Sequence, residues 1–515
     1  MSIINVEQGG ITISLADRIL QSILKFPEQT IIFHDQEIKY SHLWDQASIL
    51  RQALQESGVK PGDRIAIQLP KCLEFLYFHL ANLQLGSITV PLNPTYTREE
   101  ITCFLSDSKA KIFIATPDNA AKIGAILPML AHLQHVIAVG ASESLNNEKV
   151  LAYDSLIKTK PSSQGLTARP ADTAMILYTS GTTGRSKGAM LSHENLLANI
   201  ESLHMAWGHS ENDILLHVLP IFHVHGLVVA FHGAVHAGMK IIMRKQFDPA
   251  DTLACIEKHH CTVFMGVPTL YYRLLKAENP RQFNLDSMRL WISGSAPLPA
   301  AVFDRFKQVF GHTILERFGM SETCMNVSNP LNGPRKRGSV GLPLPGVSIR
   351  LAGPDESDVE PGGIGEVWVR GKNVMQGYWQ MPDKTREAFS GEWLKTGDLG
   401  YQDEEGYLYL VGRAKDLVIS GGMNIYPTEV EDVIETIEAV EESAVIGIPD
   451  DEWGEKVIAV VVPKPNQSVT PEEIDLVCRE RLANYKRPKA IYITDKIPRN
   501  TMGKILKSQL RESYR

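Results

Sequence analysis

The sequence predicts an α/β protein: a large N-terminal domain of two α/β subdomains plus a small β-barrel, then a small α+β C-terminal domain. Three observations lead there. Short apolar strand-like runs alternate with helical segments from residue 64 to residue 293, the pattern of parallel sheets with helices on both faces. From about residue 338 the pattern changes to strands with one wet face between Gly and Pro turns, which fits a small antiparallel barrel or sheet. The chain also has 515 residues, and a single core rarely grows beyond ~250–300, so two or more domains are expected.

Residues 15–58 read as helices around a short hairpin at 31–38. Residues 64–69 form a strand, 72–86 an amphipathic helix, 88–91 a strand, 98–108 a helix and 112–115 a strand. The pattern resumes after a Pro/Ser/Gly-rich surface stretch, 160–170. There 175–178 is a strand running into a glycine-rich loop, and 193–203 is a helix opened by Ser192 as N-cap. Residues 241–243, 263–265 and 290–293 are buried strands, and 347–351 and 366–370 are strands of the barrel. After residue 412 a compact unit follows: helix 427–437, strands 442–448 and 456–463, helix 471–482 and strand 490–493. The domain boundary is placed at Lys415, giving domains 1–414 and 415–515.

The net charge of −7 leaves no basic footprint for nucleic acid or an anionic membrane surface. The start carries no basic region followed by an apolar run, and no apolar stretch reaches the roughly 20 residues needed to span a bilayer. The six cysteines form no CxxC pair and read as buried reduced thiols of a cytoplasmic protein.

The chemistry sits in five segments. In residues 178–188, Gly181, Gly184 and Gly188 let backbone N–H groups converge on an anion. Thr179, Ser180, Thr182 and Thr183 add hydroxyls, and Lys187 adds a charge. This is no Walker A loop, because the place its lysine pair would take holds Ser186. The second segment, 316–323, brings Glu316, Phe318, Gly319, Met320, Ser321 and Glu322, with Ser295, Ala296 and Pro297 in a strand-end turn before it. The third holds Asp398, Arg413 and Lys415; an ionised carboxylate such as Asp398 suits two vicinal hydroxyls, being acceptor-only. The fourth ends on Lys504, and the fifth is the loop of Gly421, Gly422 and Met423.

Together these segments resemble the acyl-adenylate-forming enzymes, which include acyl-CoA synthetases, over residues 16–511. The phosphate-loop signature is matched closely; the usual Tyr-Gly-x-Thr-Glu becomes Phe318 to Glu322, with Phe for Tyr and Ser for Thr. The resemblance implies that ATP, Mg²⁺ and CoA are used, with Phe318 stacking on adenine and residues 295–297 lining its slot. It gives Ser321 to the α-phosphate, Glu322 and Thr179 to Mg²⁺, and Asp398 with Arg413 to the ribose. It makes Lys415 the hinge of a mobile C-terminal domain and places residues 421–423 along the pantetheine path. Lys504 becomes the catalytic lysine of adenylation, stabilising charge in the transition state.

The acid is less defined. His223, in the segment 219–226, matches the gate of the acyl pocket and is read as a wall of the carboxylate site, grouped with Lys504 and Glu322. Several segments look closest to malonyl-CoA synthetases, and a dicarboxylate needs a cation, for which Arg273 and Arg289 are the candidates. A medium- or long-chain fatty acid remains the alternative, as does a free-standing enzyme loading a carrier protein. No carrier module follows Lys504, which favours CoA. A binding protein without turnover is the rival class, opposed by Lys504, Glu322 and Asp398, and a homodimer stays open.

Overall fold

The computed structural model describes residues 13–34, 36–141, 148–161, 165–179, 186–420, 423–450, 453–499 and 504–515. Two sheets make up most of it. In the first, strands run in the order Gly377–Tyr378, Lys187–Ser192, Thr173–Thr179, Ile88–Pro91, Arg64–Gln68, Ile112–Ala115, His135–Ala138 and Val150–Ala152. Pairing is parallel from Thr173–Thr179 onward, while Lys187–Ser192 folds back antiparallel to make the hairpin of the phosphate loop. Fully buried runs such as Ile112–Ala115 explain why these strands read as apolar blocks and not as alternation.

The second sheet has a parallel half and an antiparallel half. Lys240–Met243, Ile214–His217, Val263–Gly266, Leu290–Ser293 and Leu315–Met320 pair in parallel. Cys324–Ser328 then turns back on Leu315–Met320, and the antiparallel strands continue from it. Phe318, Val327, Val340, Val367 and Leu408 from these strands gather on a small core of their own. The expected barrel is therefore an antiparallel extension of the second sheet, sharing its hydrogen bonds.

A third sheet of five strands holds Val418–Ser420, Met423–Ile425, Val440–Asp450, Gly454–Pro463 and Ala490–Ile493. Its core is built from its own residues, among them Val430, Ile434, Val445, Val457 and Ile474. A bond crosses to the rest of the chain where Tyr272 Oη donates to Glu441 at 3.0 Å, while Arg511 ties back to Asp416 at the start of the unit at 2.9 Å.

Two readings needed correction. The helix expected to be amphipathic, Leu73–Leu85, is buried at every position except Glu74. Its polar residues are consumed internally: His79 and Asn82 bond Thr89, and Gln84 bonds Ser48. Of the cysteines, Cys255, Cys261, Cys324 and Cys478 are buried, whereas Cys103 is exposed. The Ser192 cap is present as expected, its hydroxyl accepting from the Asn195 N–H at 3.0 Å.

Histidines are concentrated in this core. His193, His209 and His232 are buried, and desolvation lowers them to about 4, about 3 and about 3. Their folded values lie below the ~6.5 of an unfolded chain, so below that pH the unfolded state binds more protons and stability falls as pH falls. Each imidazole removes roughly 1.4 kcal/mol per pH unit in that window. The urea midpoint is expected to drop steadily from pH 7 to pH 5; a midpoint that holds or rises toward pH 5 contradicts the buried neutral assignment.

Candidate active site

Parallel pairing puts four segments at the same ends of the strands. The phosphate hairpin leaves the C-terminal end of Thr173–Thr179, and the segment holding His223 leaves that of Ile214–His217. The turn of Ser295 to Pro297 leaves Leu290–Ser293, and Ser321 with Glu322 leaves Leu315–Met320. Ligands of open α/β sheets bind outside such carboxyl ends. The two sheets meet there on a small cavity lined by Pro91, Asn93 and Tyr178 of the first sheet, by Phe222 and His223, and by Ser321.

Ser180, Gly181, Thr182, Thr183 and Gly184 lie outside the described residues, as do Gly421 and Gly422. The flanks of the phosphate loop are defined. The Thr179 hydroxyl donates to the Lys187 carbonyl at 3.4 Å, and the Lys187 ammonium lies 5.0 Å from the Tyr378 ring centroid. Tyr378 Oη in turn donates to Glu322 Oε1 at 3.1 Å. The Trp379 N–H donates to the Gly188 carbonyl at 2.7 Å and the Met375 N–H to the Glu322 carbonyl at 2.8 Å. One short segment thus ties the phosphate lysine to the carboxylate. Nothing in the sequence pattern marked Tyr378.

The strand Leu315–Met320 carries three buried groups with different tasks. Glu316 is raised to about 8 by burial, and its Oε1 accepts the Leu298 N–H at 2.9 Å. It holds the chain just after the turn of residues 295–297. Ser295 in that turn has φ of +71°, a left-handed conformation that a non-glycine residue seldom adopts. Phe318 is buried with one side in the small antiparallel core. Gly319 is required by a turn so close that a Cβ would lie 1.9 Å from the Cys324 carbonyl oxygen. Met320 and Ser321 are half-buried beside Glu322.

Asp398 and Arg413 sit opposite each other on paired strands, with Arg413 Nε 2.6 Å from Asp398 Oδ1. Asp398 Oδ2 is buried without a hydrogen-bond partner. Desolvation raises the Asp398 pKa, while Arg413 and then Lys504 oppose the rise. Lys504 therefore stands within electrostatic reach of this pair. Its side chain keeps solvent access, yet desolvation lowers its pKa, Arg413 adds to that and Asp398 counters it. Lys415 is exposed between the two units, beside the Asp416–Arg511 bond, and Met423 is exposed on the edge of the third sheet.

The acyl-side arginines do not hold. Arg289 precedes Leu290–Ser293, at the strand end opposite the site, and is spent on Asp213 at 2.6 Å and on the carbonyls of Trp207 and Gly208. Arg273 is exposed on the helix Pro268–Leu275, with its guanidinium 4.9 Å from the Phe247 ring centroid. Neither reaches the cavity. His223 does line it, and burial lowers it to about 4, so it is a neutral wall and not a cation. The cation near this region is Arg317. It is buried, with Nε and Nη2 lacking partners, and desolvation lowers it to about 9. A Cβ on Gly294 would lie 2.5 Å from its Cζ, and burial first and the Arg317 charge second depress His225, whose Nδ1 is 3.3 Å from Ser295 Oγ. Its signal in the sequence was a charged pair, Glu316 and Arg317, inside an otherwise apolar strand.

Mg²⁺ can be tested against these donors. Among the described residues no three or more metal-ligating side chains cluster. Glu322 is a buried carboxylate whose pKa burial raises, so it is short of positive charge. That fits an ion carried in with the nucleotide phosphates, with Glu322 and the Thr179 hydroxyl as protein oxygens.

Comparison with known proteins agrees with this geometry. The AMP-binding enzyme family matches residues 20–379 and its C-terminal domain residues 429–504. A long-chain-fatty-acid–CoA ligase of Bacillus subtilis (strain 168) is 34% identical, covering 97% of this chain and 95% of that protein. An oxalate–CoA ligase of Arabidopsis thaliana is 33% identical over 93% and 95%. Among solved structures, ATP-bound MatB from Rhodopseudomonas palustris aligns with a TM-score of 0.91 at 39% identity, over 98% of this chain and 99% of that one.

Removing only the phenol tests the Tyr378 link. A hydrogen bond to a charged group contributes roughly 1.5–3 kcal/mol, so Tyr378→Phe is expected to lower kcat/KM for ATP about 10–100-fold in ATP–pyrophosphate exchange. The KM for the acid should move by no more than about twofold. Tyr378→Leu, which also removes the ring from Lys187, should be worse; equal behaviour of the two variants contradicts the dual contact.

Proposed function

This chain belongs to the AMP-binding enzyme family and is an AMP-forming acyl-CoA ligase; from that premise we propose that its acid is malonate or a similarly small dicarboxylate. One observation carries the choice: the buried, unpaired guanidinium of Arg317 beside the turn at Gly294 and Ser295. A buried charge without a partner is unfavourable, and a second carboxylate on the substrate supplies the missing counter-charge. The small cavity and the neutral wall of His223 also favour a short acid over a long chain. The likeness to an oxalate–CoA ligase, an enzyme of a small dicarboxylate, agrees; the likeness to a long-chain-fatty-acid–CoA ligase keeps the longer acid as the competitor to be tested.

The proposed chemistry has two displacements at one site. One substrate carboxylate, ionised at neutral pH, attacks the α-phosphorus of ATP, and the bond to pyrophosphate breaks. The phosphate hairpin with Lys187 holds the phosphates, Asp398 accepts the ribose hydroxyls through its open Oδ2, and Phe318 offers its face to adenine. Lys504, already near Asp398 and Arg413, neutralises charge on the α-phosphate. Bound Mg²⁺ would shield the phosphate charge at Glu322 and Thr179. The thiolate of CoA then attacks the acyl carbonyl, and AMP leaves. For this second step the C-terminal domain, residues 415–515, turns about Lys415 and brings residues 421–423 to the pantetheine path. Breaking the Tyr272–Glu441 bond, which joins the two units, is part of that turn. The enzyme is assigned to the cytoplasm.

Two variants test the proposal. Arg317→Met should abolish malonate-dependent ATP–pyrophosphate exchange, by about 30–1,000-fold, as expected for losing one member of a buried charge pair. Its melting temperature without ligand should hold or rise, because an unpaired buried charge is replaced by an apolar chain. Malonate exchange that survives, or octanoate and palmitate exceeding malonate in the wild type, refutes the dicarboxylate. Lys504→Ala should abolish pyrophosphate release yet spare thioester formation from supplied acyl-adenylate; equal loss in both assays removes Lys504 from its role.

A further inference from the structure

One buried titratable group has no part in this chemistry. Lys71 follows the strand Arg64–Gln68 at its C-terminal end, and only 8% of it is exposed. No carboxylate pairs with it among the described residues. Its ammonium nitrogen instead lies 2.8 Å from the carbonyl oxygen of His217 and 2.9 Å from Nδ1 of the same residue. His217 ends the strand Ile214–His217 of the second sheet, so the contact bridges the two α/β subdomains at their functional ends. The far side of the imidazole, Nε2, is 2.9 Å from the Gly226 carbonyl oxygen. A carbonyl can only accept, so Nε2 carries the proton and Nδ1 offers its lone pair to Lys71. Burial pushes Lys71 well below the ordinary amine range, and burial with Lys71 nearby does the same to His217. The bridge is therefore held by hydrogen bonds.

What the bridge fixes is the segment that walls the cavity. Gly226 approaches Pro220 so closely that a Cβ would lie 2.0 Å from the Pro220 carbonyl oxygen. The backbone thus closes a tight loop between residues 220 and 226. The lip of that loop, Phe222, His223 and Val224, faces the cavity. A second tie, from the Leu227 N–H to the His223 carbonyl at 2.8 Å, joins the lip to the helical segment His225–His232. That segment has π-type winding, which in helices often marks a functional place. Ile221 and Val224 share a core with Ile65 and Leu69 of the first subdomain, and His79 lies 2.9 Å from His232, so packing brings the loop to the first sheet. Lys71 adds the polar tie at the root of the loop.

We propose that Lys71 is a positioning residue for acid selection: through His217 and Gly226 it sets how far the lip at Phe222, His223 and Val224 projects into the acyl cavity. This rests on the reading of that cavity as the acid site. A hydrogen bond between two buried polar groups holds the lip in one pose, and a pose error near 1 Å at a binding wall is enough to change affinity by tenfold or more.

The test is ATP–pyrophosphate exchange on the full-length protein with the acid that the wild type uses best, chosen from malonate, methylmalonate, acetate, octanoate and palmitate. Lys71→Met is expected to raise the KM for that acid at least tenfold, to leave kcat and the KM for ATP within about threefold, and to narrow the preference between short and longer acids. Lys71→Gln, which can still donate to the His217 carbonyl, should recover part of the loss. His217→Phe should give the same KM change, and the double variant with Lys71→Met should be no worse than either alone. Losses that fall equally on acid and ATP, or that add in the double variant, overturn the proposal in favour of a merely structural lysine. Should Lys71→Met fail to fold, Lys71→Gln and His217→Phe decide by the same criteria. If the wild type prefers a fatty acid, the dicarboxylate reading falls, while Lys71 is still judged on that acid.

Discussion

The site depends on parallel strand pairing in two sheets whose C-terminal ends meet at one cavity. Each segment at this cavity continues a buried strand, so the core fixes where it begins. Thr173–Thr179 roots the phosphate hairpin, Leu315–Met320 roots Ser321 and Glu322, and Leu290–Ser293 roots the turn of Ser295. The antiparallel extension adds Asp398 and Arg413 from one side, and the third sheet brings Lys504 within their reach. Arg289 shows the converse: at the opposite strand end the same residue type becomes a clamp for Asp213.

The second organising feature is a set of buried charged groups whose hydrogen-bonding capacity the fold leaves partly unused. Asp398 pairs one oxygen with Arg413 and keeps the other without a partner, Glu322 is buried against the Tyr378 phenol, and Arg317 has two nitrogens unbonded among the described residues. Each opposes burial, and each is matched by a group of the proposed substrates: ribose hydroxyls, a divalent ion with phosphates, and a distal carboxylate. Binding energy is available at these points because folding left them unsatisfied. Tyr378 and Lys71 work differently. They touch functional elements from behind and set where those elements stand.

Much of the fold was legible because its strands and helices keep clear periods and caps. Ile88–Pro91, Arg98–Ser108, Ile112–Ala115 and Ala490–Ile493 coincide with the expected spans. The helix Leu73–Leu85 was misjudged because its polar residues looked like a wet face, although each finds an internal partner that only the tertiary structure supplies. The proposed nucleotide side rests on local motifs, since phosphate binding needs residues adjacent in sequence. The acyl side was not. Arg273 and Arg289 were chosen as arginines near strands and helices, but which end of a strand a residue occupies decides whether it faces the cavity. Arg317 was hidden inside a motif read for other residues. Lys71 and His217 are 146 residues apart, and no local pattern joins them.

The most direct measurement is a crystal structure of the protein with malonate and a non-hydrolysable ATP analogue. The account predicts the distal carboxylate within hydrogen-bond distance of Arg317 Nε or Nη2, with the ribose hydroxyls on Asp398 Oδ2. A distal carboxylate pointing into solvent, or ribose hydroxyls held away from Asp398, would contradict it.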